Sequence, residues 1–416
     1  MSRQAGIVVI GGGVVGVCAA YYLSAQGHQV TLLEKHDICA GSSYGNGGLV
    51  AVEHALPVAA RGRLSQVLQW LLDATSPFYI KPRFDLELLR WLWEFRAAGS
   101  GSDMLRRGTT LLALGQASIK LFEELDARED IAFDYEHRGR LYLFRSPAGQ
   151  EQSLEDAQLL QQFGVEPQIL DIAGVRKLEP TVLPSVIGGV YYSGYAHLMP
   201  DRFVREVARL AQTQGTHLQT HTEVLGFERV GPRIASVVTT RGNFQPDQVV
   251  LAAGAWSPIV ARDLRLRLPV QAAKGYGLMF NRPAVCPQRP LLLEESMVSV
   301  APLGDTLRLS STLELAGLDL TIDRRRVAAT RGALGSYLAG MEDLELLEIW
   351  SGLRPLTSDT LPIIGRSEAF ENLIVATGHG MLGLTHAPIT GKLVAQLVGG
   401  ETPALDLTPF RVERFS

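Results

Sequence analysis

An apolar strand running into three consecutive glycines leaves a chain few folds to choose from. Here Ile7-Val8-Val9-Ile10 precedes Gly11-Gly12-Gly13-Val14-Val15-Gly16, and the stretch Val17 to Gly27 leads to a second strand, His28 to Glu34, ending in an acid. Strand, tight glycine turn, helix and second strand in that register form the unit that seats a dinucleotide. Gly11 makes the turn, Gly13 lets the backbone approach a pyrophosphate, and Gly16 lets the helix pack on the sheet. The amides at the helix start favour phosphate, and Glu34 can accept hydrogen bonds from a ribose hydroxyl. No charged residue lies between Gln4 and Gly27, which also invites a signal-peptide or membrane-span reading. Three glycines are costly in one continuous helix, and cleavage would remove the turn, so the segment is read as fold and the chain as uncleaved.

At 416 residues, 46% hydrophobic and 20% charged, the sequence is that of a globular protein long enough for two domains. The net charge of −4 argues against a nucleic-acid partner. Cys18, Cys39 and Cys286 form no CxxC pair, so neither a disulfide framework nor a zinc site is expected, and a reducing, cytoplasmic compartment fits. Attachment to a membrane surface stays open.

After Glu34 and Lys35, the loop Gly41-Ser42-Ser43-Tyr44-Gly45-Asn46-Gly47-Gly48-Leu49 returns toward the nucleotide, and its small residues let amides and hydroxyls approach a phosphate or flat ring. Two apolar helical stripes follow, Leu64 to Leu72 and Leu88 to Phe95. They are read either as core helices or as an interfacial surface whose tryptophans meet lipid or a redox partner. A helix is expected over Leu111 to Leu125, a strand over Arg140 to Phe144, a helix over Arg202 to Gln214, and strands over His217 to Leu225 and Gln248 to Gly254. Ligands gather at the carboxyl ends of strands in an open α/β sheet, so Val224, Ala253 and Gly254 become candidates for the site of Gly13. From Leu268 to Trp350 the segments are short and β-like, including Lys274-Gly275-Tyr276, as for an antiparallel substrate domain. A strand from Asn372 to Thr377 then meets Gly378-His379-Gly380-Met381-Leu382-Gly383 and a further helix, a second strand, glycine turn and helix.

These features together resemble the flavin-dependent D-amino-acid dehydrogenases, within the superfamily of D-amino-acid oxidase, glycine oxidase and sarcosine oxidase. The likeness rests on Gly11 to Gly16 with Glu34, Ser42 to Gly48, Leu68 to Trp93, Lys274 to Tyr276, Gly352-Leu353-Arg354-Pro355 and Gly378 to Gly383, and covers nearly the whole chain. It implies an α/β fold: a Rossmann-type FAD-binding domain, discontinuous over 1–60, 198–260 and 351–416, with an inserted, mainly antiparallel β substrate domain over 61–197 and 261–350. Carried over residue by residue, Gly11, Gly13, Val14, Val15, Gly16, Glu34 and Lys35 would hold the ADP half. Ser42, Ser43, Asn46, Gly47, Gly48 and Leu49 would line the pyrophosphate and ring, and Val224 the adenine. Ala253 and Gly254 would close the same site, and His379, Gly380, Met381 and Leu382 would meet the pyrimidine edge of the flavin.

Arg354 would bind the substrate carboxylate. A planar guanidinium can clamp a carboxylate through two hydrogen bonds where lysine cannot. A structural ion pair is the alternative for Arg354. Tyr276 is read equally as a second carboxylate donor or as core, and His54 as a residue near the pocket or as structural. Hydride would pass from Cα to flavin N5 as the neutral amine becomes an imine, which water hydrolyses; a cyclic imino acid such as D-proline or D-hydroxyproline would leave a ring imine. The cofactor would be non-covalent FAD, because Cys286 lies away from the flavin turns. Electrons would go to a respiratory acceptor or redox partner protein, with contact at the inner face of the cytoplasmic membrane open. An oxygen-using amino-acid or amine oxidase, and a flavoprotein subunit of a multi-subunit electron-transfer complex, are the competing readings.

Overall fold

The computed structural model describes residues 6–51, 76–98 and 102–415. Strand Gly6–Ile10 pairs in parallel on both sides, with Gln248–Leu251 and with Gln29–Leu33. A strand enclosed in this way needs a continuous apolar run, and Ile7 to Ile10 are all buried. The three strands are the centre of a six-stranded sheet ordered Ile363–Arg366, Leu373–Thr377, Gln248–Leu251, Gly6–Ile10, Gln29–Leu33, His217–Gln219. All its pairings are parallel except the outermost, between Ile363–Arg366 and Leu373–Thr377.

Helix Val14–Ala25 joins the first two strands and is buried along most of its length. Helix Pro200–Thr213, close to the helix expected over Arg202 to Gln214, packs on it and buries Phe203, Val204 and Val207. Helix Gly383–Gly399 covers another side. There a Cβ on Gly391 would lie 2.6 Å from the carbonyl of Cys18, so only glycine lets the two backbones touch.

The strand expected from His217 to Leu225 is in fact two. His217–Gln219 joins the six-stranded sheet, and Val224–Val230 starts a separate three-stranded one. Between them His221 adopts φ +52° and Thr222 donates its N–H to the Glu34 carbonyl, so the chain turns at the end of the Gln29–Leu33 strand. The strand from Gln248 likewise stops at Leu251, because Gly254, at φ +54°, opens a single 3₁₀ turn.

Nine described strands make the second sheet. Its main order is Leu346–Thr357, Val270–Asn281, Thr306–Leu315, Val298–Leu303, Leu291–Leu293, Arg140–Phe144, Gly188–Tyr192, Gln168–Asp171, with Phe78–Ile80 paired to Thr306–Leu315. Leu346–Thr357 therefore runs across the boundary expected at residue 351. Alternation gives this sheet two faces. One cross-strand row reads Ile349, Leu278, Leu309, Val300, Leu291, Leu141 and belongs to an apolar core shared with helix Arg324–Leu334. The adjacent row reads Trp350, Gly277, Ser310, Ser299, Leu292, Tyr142 and points the other way.

Candidate active site

A cavity of about 720 Å³ lies between the six-stranded sheet and the second row of the nine-stranded one. Gly11, Gly13, Val14, Val15, Glu34, Lys35, Ser42, Ser43, Asn46, Gly47, Leu49, Val224, Ala253, Gly254, His379, Gly380, Met381 and Leu382 all line it, with Arg354. Residues as far apart in the chain as 11 and 382 are thus brought to one wall. Gly16 and Gly48 shape the site from behind. A Cβ on Gly16 would sit 1.9 Å from the Gly11 carbonyl oxygen, and one on Gly48, at φ +69°, 2.5 Å from that of Leu198. Gly16 therefore serves the turn itself as much as the packing of helix on sheet. His54, Trp70 and the Leu64 to Leu72 stripe lie outside the described residues.

At one end Glu34 is held by two backbone donors, Gly12 N–H to Oε2 at 2.7 Å and His36 N–H to Oε1 at 2.8 Å. A carboxylate oxygen has a second lone pair, which leaves each free to accept a hydroxyl. Lys35 pairs with Glu223 at 2.7 Å beside it. In the middle, the helix from Val14 has no side-chain cap at Gly13; instead the Val14 N–H donates to Ser43 Oγ at 2.9 Å, which ties the Ser42 to Gly48 loop to the helix start. The helix from Gly383 also starts without a side-chain cap, at Leu382 on the cavity wall. Two helix N-termini therefore direct their dipoles into one cavity. His379 is buried, bonds Thr390 Oγ1 at 3.0 Å, and is pushed by desolvation down to about 3, so its ring is neutral at ordinary pH.

The loop is anchored from the opposite side by a residue that sequence reasoning passed over. Arg308, buried in the nine-stranded sheet, donates from Nη1 to the carbonyls of Asn46 at 2.8 Å and Tyr44 at 3.2 Å. Ser42 Oγ donates to the Leu353 carbonyl. The indole of Trp350 fills the space left by two missing side chains: a Cβ would lie 2.1 Å from it at Gly45 and 1.8 Å from it at Gly352. That glycine spacing was the available signal for a large ring at this point.

Arg354 lies over Gly275, where a Cβ would be 2.1 Å from its Nη1. Its Nη1 donates to the Thr312 carbonyl at 2.8 Å, and among the described residues no carboxylate pairs with it. The structural ion pair is thus absent there, and desolvation lowers the guanidinium to about 10, leaving it charged at neutral pH. Thr312 takes φ +61° at a bulge where Thr306–Leu315 loses register with Val270–Asn281, and the bulge turns its carbonyl toward Arg354. Thr312 Oγ1 and Ser310 Oγ are buried on the cavity wall with no hydrogen-bond partner.

Of the two readings of Tyr276, carboxylate donor or core, its packing favours the second. Its side chain is 1% exposed in the apolar core on the far side of the sheet, and its hydroxyl accepts the Asp323 N–H at 3.2 Å. Gly275 and Tyr276 both belong to the cavity wall, but the Tyr276 side chain alternates into the core, opposite to Gly277, where a Cβ would meet the Gly45 carbonyl at 2.8 Å. Trp91 and Trp93 also part company. Trp91 is buried, stacked on Phe95 and bonded through Nε1 to the Pro269 carbonyl, whereas Trp93 is 72% exposed.

A long cavity with a hydroxyl-accepting acid, two uncapped helix starts, a glycine-rich wall and orphaned polar atoms fits a flavin dinucleotide well. None of the three cysteines lines it. Among the described residues no cluster of His, Cys, Asp and Glu suits a metal ion, and no helix is long and apolar enough to cross a membrane.

Residues 6–397 match the family model described as FAD dependent oxidoreductase. The chain is 31% identical over 421 residues to a D-amino acid dehydrogenase of Granulibacter bethesdensis, covering 99% of each protein, and 33% identical over 423 residues to that of Methylobacterium radiotolerans, again covering 99% of each. Its fold is similar to glycine oxidase from Geobacillus kaustophilus, with a TM-score of 0.78 at 23% identity over 98% of both chains. It is similar also to L-proline dehydrogenase from P. horikoshii, with a TM-score of 0.75 at 20% identity over 100% of this chain and 98% of that one.

Proposed function

The chain belongs to the FAD dependent oxidoreductase family, and from that premise we propose that it dehydrogenates D-amino acids or cyclic D-imino acids and passes the electrons to a respiratory acceptor. The observation that carries the reading is Arg354, a charged guanidinium on the cavity wall without a carboxylate partner among the described residues. The names of the relatives support the substrate class and the D configuration.

Glu34 and Val224 would hold the adenosine part of FAD, the Gly11 to Val15 turn and Ser43 its pyrophosphate, and Asn46, Gly47 and His379 to Leu382 its ring. Bound there, FAD supplies the acceptor for the hydride that leaves Cα. The rest falls to the chain. Thr312 fixes one edge of the Arg354 guanidinium, so the remaining N–H groups meet the substrate carboxylate in one orientation, which aims Cα–H. Gly275 keeps that surface clear. Trp350 and Leu49 wall off water near the reacting carbon. Among the described residues no carboxylate lines this end of the cavity; the only ones on its wall, Glu34 and Glu223, sit at the other end. The substrate amine therefore reacts in its neutral form, without a carboxylate base, and Arg354 disfavours a cationic amine nearby.

No described cysteine is placed to tether the ring, which supports non-covalent FAD. Exposed Phe84, Leu86, Leu89 and Trp93 around helix Leu86–Ala98 support peripheral membrane contact during electron transfer. Anaerobic mixing with D-, L- and cyclic amino acids tests the reading. Bleaching of the flavin by a D-amino acid, and not by its L enantiomer or by the amine lacking the carboxylate, is the expected result. Bleaching by the amine alone would overturn it, and rapid oxygen consumption would make the chain an oxidase.

A further inference from the structure

The cavity holds a second buried guanidinium that the chemistry above leaves unused. Arg140 opens a strand whose five residues are all buried, and it is itself 5% exposed. Leu141 and Leu143 face the far core, while Arg140 and Tyr142 face the cavity. Its Nη2 donates to Ser299 Oγ at 3.0 Å, and its Nη1 reaches the Tyr142 hydroxyl at 3.5 Å. The guanidinium carbon lies 5.0 Å from the Tyr142 ring centre and 5.7 Å from that of Tyr195. Ring faces and hydroxyls support a cation without neutralising it. Among the described residues no carboxylate pairs with Arg140, and its Nε, fully buried, has no acceptor. A desolvated charge with an unused donor beside a cavity is costly unless an anion comes to it.

Its position relative to Arg354 suggests what that anion is attached to. Ser299, which holds Arg140, pairs with Ser310, and Thr312, which holds Arg354, follows two residues later. Ser299 and Thr312 are thus separated by one pairing step and two residues of a strand that bulges at Thr312. The same wall carries the orphaned hydroxyls of Ser310 and Thr312. One cavity wall thus carries two guanidinium groups and two orphaned hydroxyls, a set of partners for a short chain with an acid at each end.

We propose that Arg140 is a specificity-determining residue that takes a second acidic group, so that the preferred substrates are D-amino acids with acidic side chains, D-aspartate and D-glutamate. The proposal rests on the reading of Arg354 as the clamp for the α-carboxylate. D-glutamate and D-glutamine are near isosteres that differ in charge, so their ratio isolates the effect of Arg140.

In anaerobic flavin reduction by the holoenzyme, wild type is expected to favour D-glutamate over D-glutamine by roughly 10- to 100-fold, the worth of one charged hydrogen bond. Arg140→Gln should bring that ratio near one. A wild type that prefers D-glutamine, or a variant that keeps the ratio, would overturn the proposal. A measurement on wild type alone guards against a variant that fails to fold: titrating the flavin spectrum with glutarate and with butyrate should show glutarate binding at least tenfold tighter, and equal affinity counts against Arg140. The two readings fail separately. Reduction by neutral D-amino acids without any charge preference removes the Arg140 site and leaves the amino-acid reading. Glutarate preference abolished by Arg140→Gln, in a protein whose flavin no amino acid reduces, does the reverse.

Discussion

Replacing Arg354 tests the assignment most directly. Its Nη1 is engaged by the Thr312 carbonyl at 2.8 Å, which leaves the other N–H groups to form a forked pair with a carboxylate. Charged hydrogen bonds are each worth about 1.5–3 kcal/mol, so losing two costs about 3–6 kcal/mol, or roughly two to four powers of ten in the efficiency of flavin reduction. Arg354→Met should lose that full amount. Arg354→Lys keeps a charge but is shorter and lacks the fork, and its ammonium has the Thr312 carbonyl as a competing partner, so it should recover only part. FAD content should stay level, because Arg354 faces the substrate end and the turns near Gly11 and Gly380 hold the cofactor. The assay is stopped-flow reduction with an amino acid and with the corresponding amine, for wild type and both variants. Equal losses for the two compounds, or an unaltered rate with the amino acid, would make Arg354 a structural residue and put the carboxylate site elsewhere.

Gly275→Ala should act as a partial copy of Arg354→Met: the new Cβ would lie 2.1 Å from Nη1, and a displacement of about 1 Å at a positioning group can cost roughly 100-fold in rate. Unchanged KM and kcat would show that the guanidinium relaxes freely. Because desolvation lowers Arg354 to about 10, it is charged below that pH and neutral above; butyrate affinity measured by flavin difference spectra should be level near neutrality and weaken as pH rises through about 10, with no step from neutral His379. Trp91→Ala should destabilise the fold by about 3–5 kcal/mol in a denaturant melt, while Trp93→Ala stays within about 0.5 kcal/mol and instead reduces sedimentation with vesicles. Unfolding in denaturant followed by filtration should release intact FAD, and flavin retained with the chain would refute the non-covalent reading.

The dinucleotide unit was legible because each of its parts serves a local rule: a doubly covered strand is apolar, the turn at φ +113° takes Gly11, and the second strand ends in an acid. Elements with strong periodicity, such as Pro200–Thr213 and Arg140–Phe144, were legible for the same reason. Faces within the large sheet were not. Tyr276 sits between two glycines, and nothing local says which way the side chain of an alternating strand is turned; the bulge at Thr312 changes register with no glycine in its own strand to announce it. Arg308 and Arg140 escaped notice because their meaning depends on strands far away in sequence, although a lone charge opening the apolar run Leu141 to Phe144 was a visible oddity. The likeness to known enzymes supplied Arg354; the geometry adds what holds it.

The glycine contact between Gly391 and Cys18 sets a schedule for the chain in the cell. Helix Val14–Ala25 leaves the ribosome early, yet the helix that covers it is 373 residues behind at the point of contact. At roughly 5–20 residues per second that gap lasts roughly 20 to 75 s, during which an almost wholly apolar helix lacks one of its neighbours. The dinucleotide turn is therefore among the first segments made and among the last to be finished. Truncation near residue 380 should therefore leave a chain that added FAD does not convert into a flavoprotein, read as the absence of bound flavin after gel filtration.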